Sequence, residues 1–362
     1  MIASGRVPKM NAMVLTEESH HEALTRRLSL PRALACTIGG PVSGYKKCPF
    51  LLLQTSIIIQ VLPRKLKHRG ITCSMGDARM RIKKAVVTAA GPSQRRLPLQ
   101  RFVDLDGSEK SALEIIIEEV VAAQVEQIAL VIQPGDQDVF AEAASDYESL
   151  LTFIEQTTPR GYGDAVHCAR DFVGNEPFVH LVGDHLYISG QSRRCAQQLV
   201  DVARAEQCAV SAVQPTRENR LHQYGTIGGR PVAGRKGLYQ VENVVEKPTP
   251  TEAEQHLIVP GQRAGHYLCL FGMHVLTPAV MDILEDSVKA GGGDPVFLTP
   301  ALAALSGREK YLATELNGTR YNLGVKYGLL TTQLALALNG SEREEVLAQL
   351  VELLANRTIS KG

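Results

Sequence analysis

From Ile82 onward, short β-branched runs alternate with segments whose apolar residues recur at helical spacing, and this alternation leaves few folds open. Strand-type runs fall at 84–88, 128–132, 151–155, 178–182, 209–213, 241–245 and 265–273. Helical segments fall at 110–123, 163–171, 197–207, 278–288, 300–306 and 327–338. Strands separated by helices must cross over and bury both faces, so the expected fold is α/β: a Rossmann-like, mostly parallel mixed sheet flanked by helices. In the first helix Glu114, Glu118 and Glu119 are expected on the wet side. Tyr224-Gly225, the Gly/Arg-rich turn at 228–237 and the run at 241–245 predict a β-hairpin excursion over the sheet.

The two ends of the chain read differently. Residues 1–80 carry Arg, Lys, Ser, Cys and Pro without periodicity and suggest a disordered extension or a start assigned too far upstream, with Met75 and Met80 near the onset of regular pattern. Their one apolar run, Phe50 to Ile59, is shorter than the roughly 20 residues a membrane span needs, and it lies too far from the start for an ordinary secretory signal. Residues 82–340 form the expected catalytic domain. The closing segment 341–362 carries an apolar stripe, Val346, Leu347, Leu350, Val351, Leu353 and Leu354, suited to a last packing layer or to self-association in a homo-oligomer.

Charge narrows the choice of partner. With 39 Lys and Arg against 38 Asp and Glu in 362 residues, no basic or acidic excess points to nucleic acid or a membrane surface, so a small molecule is the expected ligand. The seven cysteines form no Cys-x-x-Cys pair, which argues against a disulfide framework or structural zinc and for a cytoplasmic location.

In open α/β sheets ligands gather beyond the carboxyl ends of the strands, and four strand ends here carry polar groups. The first is Ala89-Ala90-Gly91 with Arg95 and Arg101, where bare backbone and guanidinium groups suit phosphate oxygens. The second is Gln156 followed by Gly161-Tyr162-Gly163, where an amide could read the edge of a base. Gly183-Asp184 sets a carboxylate suited to a hard divalent cation. Glu246-Lys247-Pro248 sets a carboxylate for sugar hydroxyls beside an ammonium for phosphate. Singly these are ordinary turn caps or solvated ion pairs; in one chain they converge on one sheet edge.

Taken together, Ala-Ala-Gly with Arg95 and Leu97-Pro98, Gln156 with Gly161 and Gly163, Gly183-Asp184, Tyr224-Gly225, Val244-Val245-Glu246-Lys247-Pro248 and Gly265-His266-Tyr267 resemble the bacterial sugar-1-phosphate nucleotidyltransferases, above all the uridylyltransferases acting on glucose 1-phosphate. The segment Tyr321 to Gly328 is similar to that family's Asp-x-Gly-x-Lys region. The resemblance implies a nucleotide-diphospho-sugar transferase fold and one displacement, in which a sugar 1-phosphate oxygen attacks the α-phosphorus of UTP or dTTP and pyrophosphate leaves. It implies that Ala89, Ala90 and Gly91 meet the nucleotide, that Arg95 meets the leaving pyrophosphate with Arg101 as a phosphate ligand in the place of the family's lysine, and that Gln156 and Gly161 read the base. It further implies Mg²⁺ on Asp184, sugar hydroxyls on Glu246, sugar phosphate on Lys247, room for the hexose at Gly265 and a second phosphate ligand in Lys326.

The first loop departs from the family pattern. Pro92 removes a backbone donor, Ser93 replaces a glycine, Arg101 stands for a lysine, and Asn322 stands for an aspartate. A catalytically impaired sugar-nucleotide-binding protein, acting as a sensor or regulatory partner, is therefore the second reading, separated from the first by pyrophosphate release. A dinucleotide-binding dehydrogenase fits poorly, because the first turn lacks G-x-G-x-x-G.

Overall fold

The computed structural model describes residues 80–92 and 95–359; the expectations for residues 1–79 and for Ser93 lie outside them. In chain order the strands are β1 (Lys84–Thr88), β2 (Arg101–Val103), β3 (Glu109–Ser111), β4 (Gln127–Ile132), β5 (Leu151–Glu155), β6 (Phe178–Val182), β7 (His185–Ser189), β8 (Ala209–Arg217), β9 (Gly225–Pro231), β10 (Leu238–Glu246), β11 (His266–Leu276), β12 (Tyr311–Glu315) and β13 (Gly318–Asn322). The helices are α1 (Ala112–Ala122), α2 (Gln137–Ala143), α3 (Tyr162–His167), α4 (Arg170–Val173), α5 (Cys195–Glu206), α6 (Pro250–His256), α7 (Ala279–Ala290), α8 (Leu298–Arg308), α9 (Gly328–Asn339) and α10 (Arg343–Ile359).

Nine strands make one mixed sheet in the order β5-β4-β1-β6-β11-β8-β12-β10-β9. Pairing is parallel from β5 to β6 and between β8 and β12, and antiparallel where β11 lies between β6 and β8. Alternation along β1 shows how the sheet is buried on both sides. Ala85 and Val87 pack into a core with Leu113, Ile116 and Ile117 of α1 and Leu199 of α5. Val86 points the other way, into a core with Val166 of α3, Leu284 of α7 and Leu302 of α8.

The hairpin expected at 224–245 is present as β9 and β10, but it extends the sheet instead of lying over it. β10 pairs with β12, and β9 turns back to pair also with β11, because Leu238, Tyr239, Val241 and Val244 bury their side chains in the cores. Strands β7 and β13, which no sequence pattern marked, form a separate antiparallel pair that aligns His185 with Asn322. β7 was hidden because only Gly183 and Asp184 divide it from β6.

Helix α1 begins with a capping box in which Ser111 Oγ accepts from Glu114 N–H at 3.1 Å and Glu114 accepts from Ser111 N–H at 2.5 Å. Glu119 corrects the expectation of a wet face. It is buried, and its Oε1 accepts from the Ala196 backbone N–H at 2.8 Å, at the positive N-terminus of α5, while Arg194 approaches the other oxygen at 3.5 Å. Burial raises its pKa above the ordinary carboxylate value, against the opposing Ala196 bond and Arg194 charge. Glu118 is half-buried and pairs with Lys110 and Arg194. On α10, Val346, Leu347 and Leu350 are half-buried, while Val351, Leu353 and Leu354 are exposed. Cysteines 168, 195, 208 and 269 are free thiols. No helix among the described residues is long and apolar enough to cross a membrane.

Removing the Glu119 carboxylate leaves the Ala196 N–H without its acceptor in a buried junction, while Arg194 keeps Glu118. Glu119→Ala is expected to lower unfolding free energy by about 1–3 kcal/mol, read as a fall in the urea midpoint.

Candidate active site

A cavity of about 560 Å³ opens beyond the carboxyl ends of the central strands. That volume lies within the roughly 300–1,000 Å³ of small-molecule clefts. Its wall takes Thr88 to Pro92 after β1, Gln156 after β5, Gly183 and Asp184 after β6, Glu246 and Lys247 at the end of β10, and Gly272 from within β11. Each residue occupies a strand terminus or an irregularity, where backbone pairing stops and polar groups are freed for a ligand.

The first loop is anchored from behind. Gln133 Nε2 donates to Ala90 O at 2.8 Å, and Arg95 Nη1 donates to Gln133 Oε1 at 2.9 Å and to the Asp136 carboxylate at 3.1 Å. Ala89, Ala90 and Gly91 therefore line the cavity as expected, but Arg95 does not; its guanidinium ties the loop to the turn before α2. Arg101 lies on β2, exposed, with its Nε donating to Glu109 across the β2–β3 hairpin at 2.9 Å, and it is also absent from the cavity wall.

The second strand end forms a closed polar knot. Gln156 and Asp164 are both buried, and Gln156 Nε2 donates to Asp164 Oδ2 at 2.7 Å and to Gly161 O at 3.2 Å. Arg160 Nε and Nη2 donate to Asp164 Oδ1 at 3.1 and 2.8 Å. Gly161 has φ of +108°, and a Cβ there would stand 2.7 Å from Val296 O, so no other residue fits this turn.

Beneath it runs a buried relay that sequence reasoning missed. His180 Nδ1 lies 2.9 Å from Val86 O, which can only accept, so this nitrogen carries the proton and Nε2 accepts from the Tyr162 hydroxyl. His274, stacked on His180 at 5.9 Å, meets Ser211 and through it Tyr311. Burial lowers His180 to about 4, against the pull of the Val86 bond, and lowers His274 to about 3, assisted by His180. Tyr162 is held well above its ordinary value by burial and by the Asp184 and Glu246 charges, so it stays a donor.

Asp184 accepts from His185 Nδ1 at 2.7 Å. Burial pushes its pKa up, but the His185 charge and hydrogen bond outweigh this and the net shift is downward, which keeps the carboxylate ionised. Glu246 Oε2 accepts from Thr299 Oγ1 at 2.6 Å, which fixes the carboxylate from α8. Lys247 takes φ of +48°, a region that a non-glycine residue enters at a cost of about 1–3 kcal/mol, and its N–H donates to Tyr224 O at 3.2 Å. Arg320 is buried against the Tyr224 ring, 3.6 Å from its centroid, and lines the same cavity.

Two expected residues stand elsewhere. Gly265 precedes β11 and faces Glu218, outside the cavity wall, whereas Gly272 lines it. Between two aligned pairs, Leu270 with Val213 and His274 with Ser211, β11 uses four steps to the two of β8, and this bulge turns Gly272 toward the ligand space. Both glycines are followed two positions later by a ring residue, Tyr267 or His274, so sequence alone could not choose between them. Lys326 is exposed over the Tyr327 ring and does not line the cavity. Asn322 does, while its Oδ1 accepts from Gly324 N–H at 2.8 Å.

Comparison with known proteins follows the same lines. Residues 84–319 match the nucleotidyl transferase family. The UTP–glucose-1-phosphate uridylyltransferase of Streptococcus pneumoniae serotype 4 is 30% identical over 301 residues, 75% of this chain and 96% of the relative. Uridylyltransferase 2 of Streptococcus pyogenes serotype M3 matches to the same extent. A solved UDP-glucose pyrophosphorylase complexed with UDP-glucose superposes with a TM-score of 0.59 at 23% identity, covering 70% of this chain and 98% of that one. The fold is of the nucleotide-diphospho-sugar transferase type, a mixed sheet with its ligand cleft at the strand ends. The chain belongs to the nucleotidyl transferase family and is a nucleotidyltransferase.

The depressed histidines give the fold an acid-side weakness. Above the ordinary value of 6.5, His180 is neutral whether folded or unfolded; as pH falls from 6.5 toward 4 the unfolded chain takes up a proton that the folded chain refuses. Urea midpoints are expected to decline across this window, with a shallower decline in His180→Gln.

Proposed function

We propose that this chain transfers a uridylyl group from UTP, or a thymidylyl group from dTTP, to glucose 1-phosphate or a related sugar 1-phosphate, releasing pyrophosphate. The observation that carries the reading is the presence of Ala89 to Gly91, Gln156, Asp184, Glu246 and Lys247 on the wall of one cavity. The sugar phosphate oxygen forms the new bond to the α-phosphorus as the bond to the β-phosphate oxygen breaks. Two anions must meet in line, so positioning and charge neutralisation supply most of the catalysis.

Each residue then has a part. The small side chains at 89–91 let the nucleotide approach the backbone. The Lys247 ammonium, 3.5 Å from Glu246 Oε1, offsets the sugar phosphate charge, and Glu246, held by Thr299, takes sugar hydroxyls. Among the described residues no group of three or more His, Cys, Asp and Glu side chains could hold a metal by itself. A single ionised Asp184 in the wall suits Mg²⁺, which keeps several waters and takes phosphate oxygens for its remaining ligands. When bound there, the cation would neutralise phosphate charge. The cytoplasm is the compartment this reading expects.

A second reading, a sugar-nucleotide-binding protein without turnover, is favoured by one observation: Arg95 and Arg101 are paired with Asp136 and Glu109, away from the cavity. Pyrophosphate release from UTP, glucose 1-phosphate and Mg²⁺ decides between them. Tight UDP-glucose binding without release would overturn turnover and favour the second reading.

Asp184→Asn is expected to reduce kcat by about 100-fold or more while UDP-glucose binding persists, measured by coupled pyrophosphate release and calorimetry. Lys247→Ala is expected to raise KM for the sugar phosphate more than for the triphosphate. Thr299→Val should do so more weakly.

A further inference from the structure

The knot at Gln156 has a directional consequence. An amide presents a donor at one end and an acceptor at the other, and which end faces a ligand is set by what the hidden end touches. Here Nε2 lies against Asp164 Oδ2 at 2.7 Å and Gly161 O at 3.2 Å, and a carboxylate and a carbonyl can only accept. The NH₂ is thus committed inward. Oε1 accepts no hydrogen bond from any described residue, is not among the sealed, unpartnered buried atoms, and belongs to a side chain on the cavity wall.

Asp164 is itself fixed. Its side chain is 2% exposed, and the Arg160 guanidinium donates twice to Oδ1 while the Arg160 backbone N–H stands 3.4 Å from Oδ2. Charge-assisted paired bonds of this kind hold both partners in one orientation.

We infer that Asp164, clamped by Arg160, is a positioning residue for base selection: it locks Gln156 with its carbonyl outward, so that the site accepts a pyrimidine whose N3 carries a proton and refuses one whose N3 is a bare lone pair. This rests on the nucleotidyl transfer reading. Uracil and thymine offer N3–H to Oε1. Cytosine would bring an acceptor against an acceptor.

The isosteric change Asp164→Asn inverts this logic at one atom. The substituted amide keeps its oxygen toward the Arg160 donors and turns its NH₂ toward Gln156, so that an inward Nε2 retains only Gly161 O as acceptor and the flipped amide with Nε2 outward competes with it. The experiment titrates UDP and CDP separately into the full-length wild-type chain and the variant by calorimetry, with thermal melting to confirm folding. The wild type is expected to bind UDP at least about tenfold more tightly than CDP, and the variant to reduce that ratio about tenfold. A purely structural loss would weaken both nucleotides alike and leave the ratio unchanged, which would overturn the inference, as would a wild type indifferent to the base. Binding of neither nucleotide by the wild type would instead overturn the nucleotidyl transfer reading. If Asp164→Asn does not fold, Arg160→Met, at a half-exposed side chain, decides in its place: a reduced UDP/CDP ratio supports the lock and an unchanged ratio overturns it.

Discussion

Strand β11 holds the molecule together at its functional edge. It lies antiparallel between β6 and β8, and so joins the parallel strands β5-β4-β1-β6, which carry the loops with Ala89 to Gly91, Gln156 and Asp184, to the group β8-β12-β10-β9, which carries Glu246 and Lys247. Without that seam the two sets of loops would have no common floor. The seam is polar where it could have been apolar: His180 on β6 faces His274 on β11, and Ser211 on β8 faces His274 in turn. Buried polar groups of this kind are costly unless fully paired, and here the Val86 carbonyl, the Tyr162 hydroxyl, Ser211 and Tyr311 provide the partners.

The same seam shapes the site. The bulge in β11 brings Gly272 to the cavity wall, and Tyr162, bonded to His180 below, lines the same wall near Gln156 and Asp184. Rigid support continues outward in single contacts: Thr299 on Glu246, His185 on Asp184, Gln133 on Ala90 and Arg160 on Asp164. The transfer proposed for this site, which brings two anions into line, benefits from side chains that do not have to reorganise.

Arginines illustrate how a residue type can be read while its place relative to the cavity is not. A guanidinium close in sequence to a glycine turn suits phosphate, yet Arg95 has Asp136 within reach and Arg101 has Glu109, and each is neutralised where it lies. Asp136 is 41 residues from Arg95, joined to it only when β4 pairs with β1. Glu119 shows the converse. It reads as a wet-side carboxylate beside Glu118, but the N-terminus of α5 sits over it, a contact across 77 residues.

What the sequence by itself determined was the alternation of strand and helix, the strand ends that carry chemistry and the family those ends resemble. A mostly apolar run such as Phe178–Val182 reads as a strand buried on both faces, and Asp184 and Glu246 are marked by polarity at the point where a strand run stops. Tertiary structure alone decided the pairing of β11, the choice of Gly272 over Gly265, and the inward end of the Gln156 amide. These depend on register and on partners far away in the chain, and local residue pattern carries no information about either.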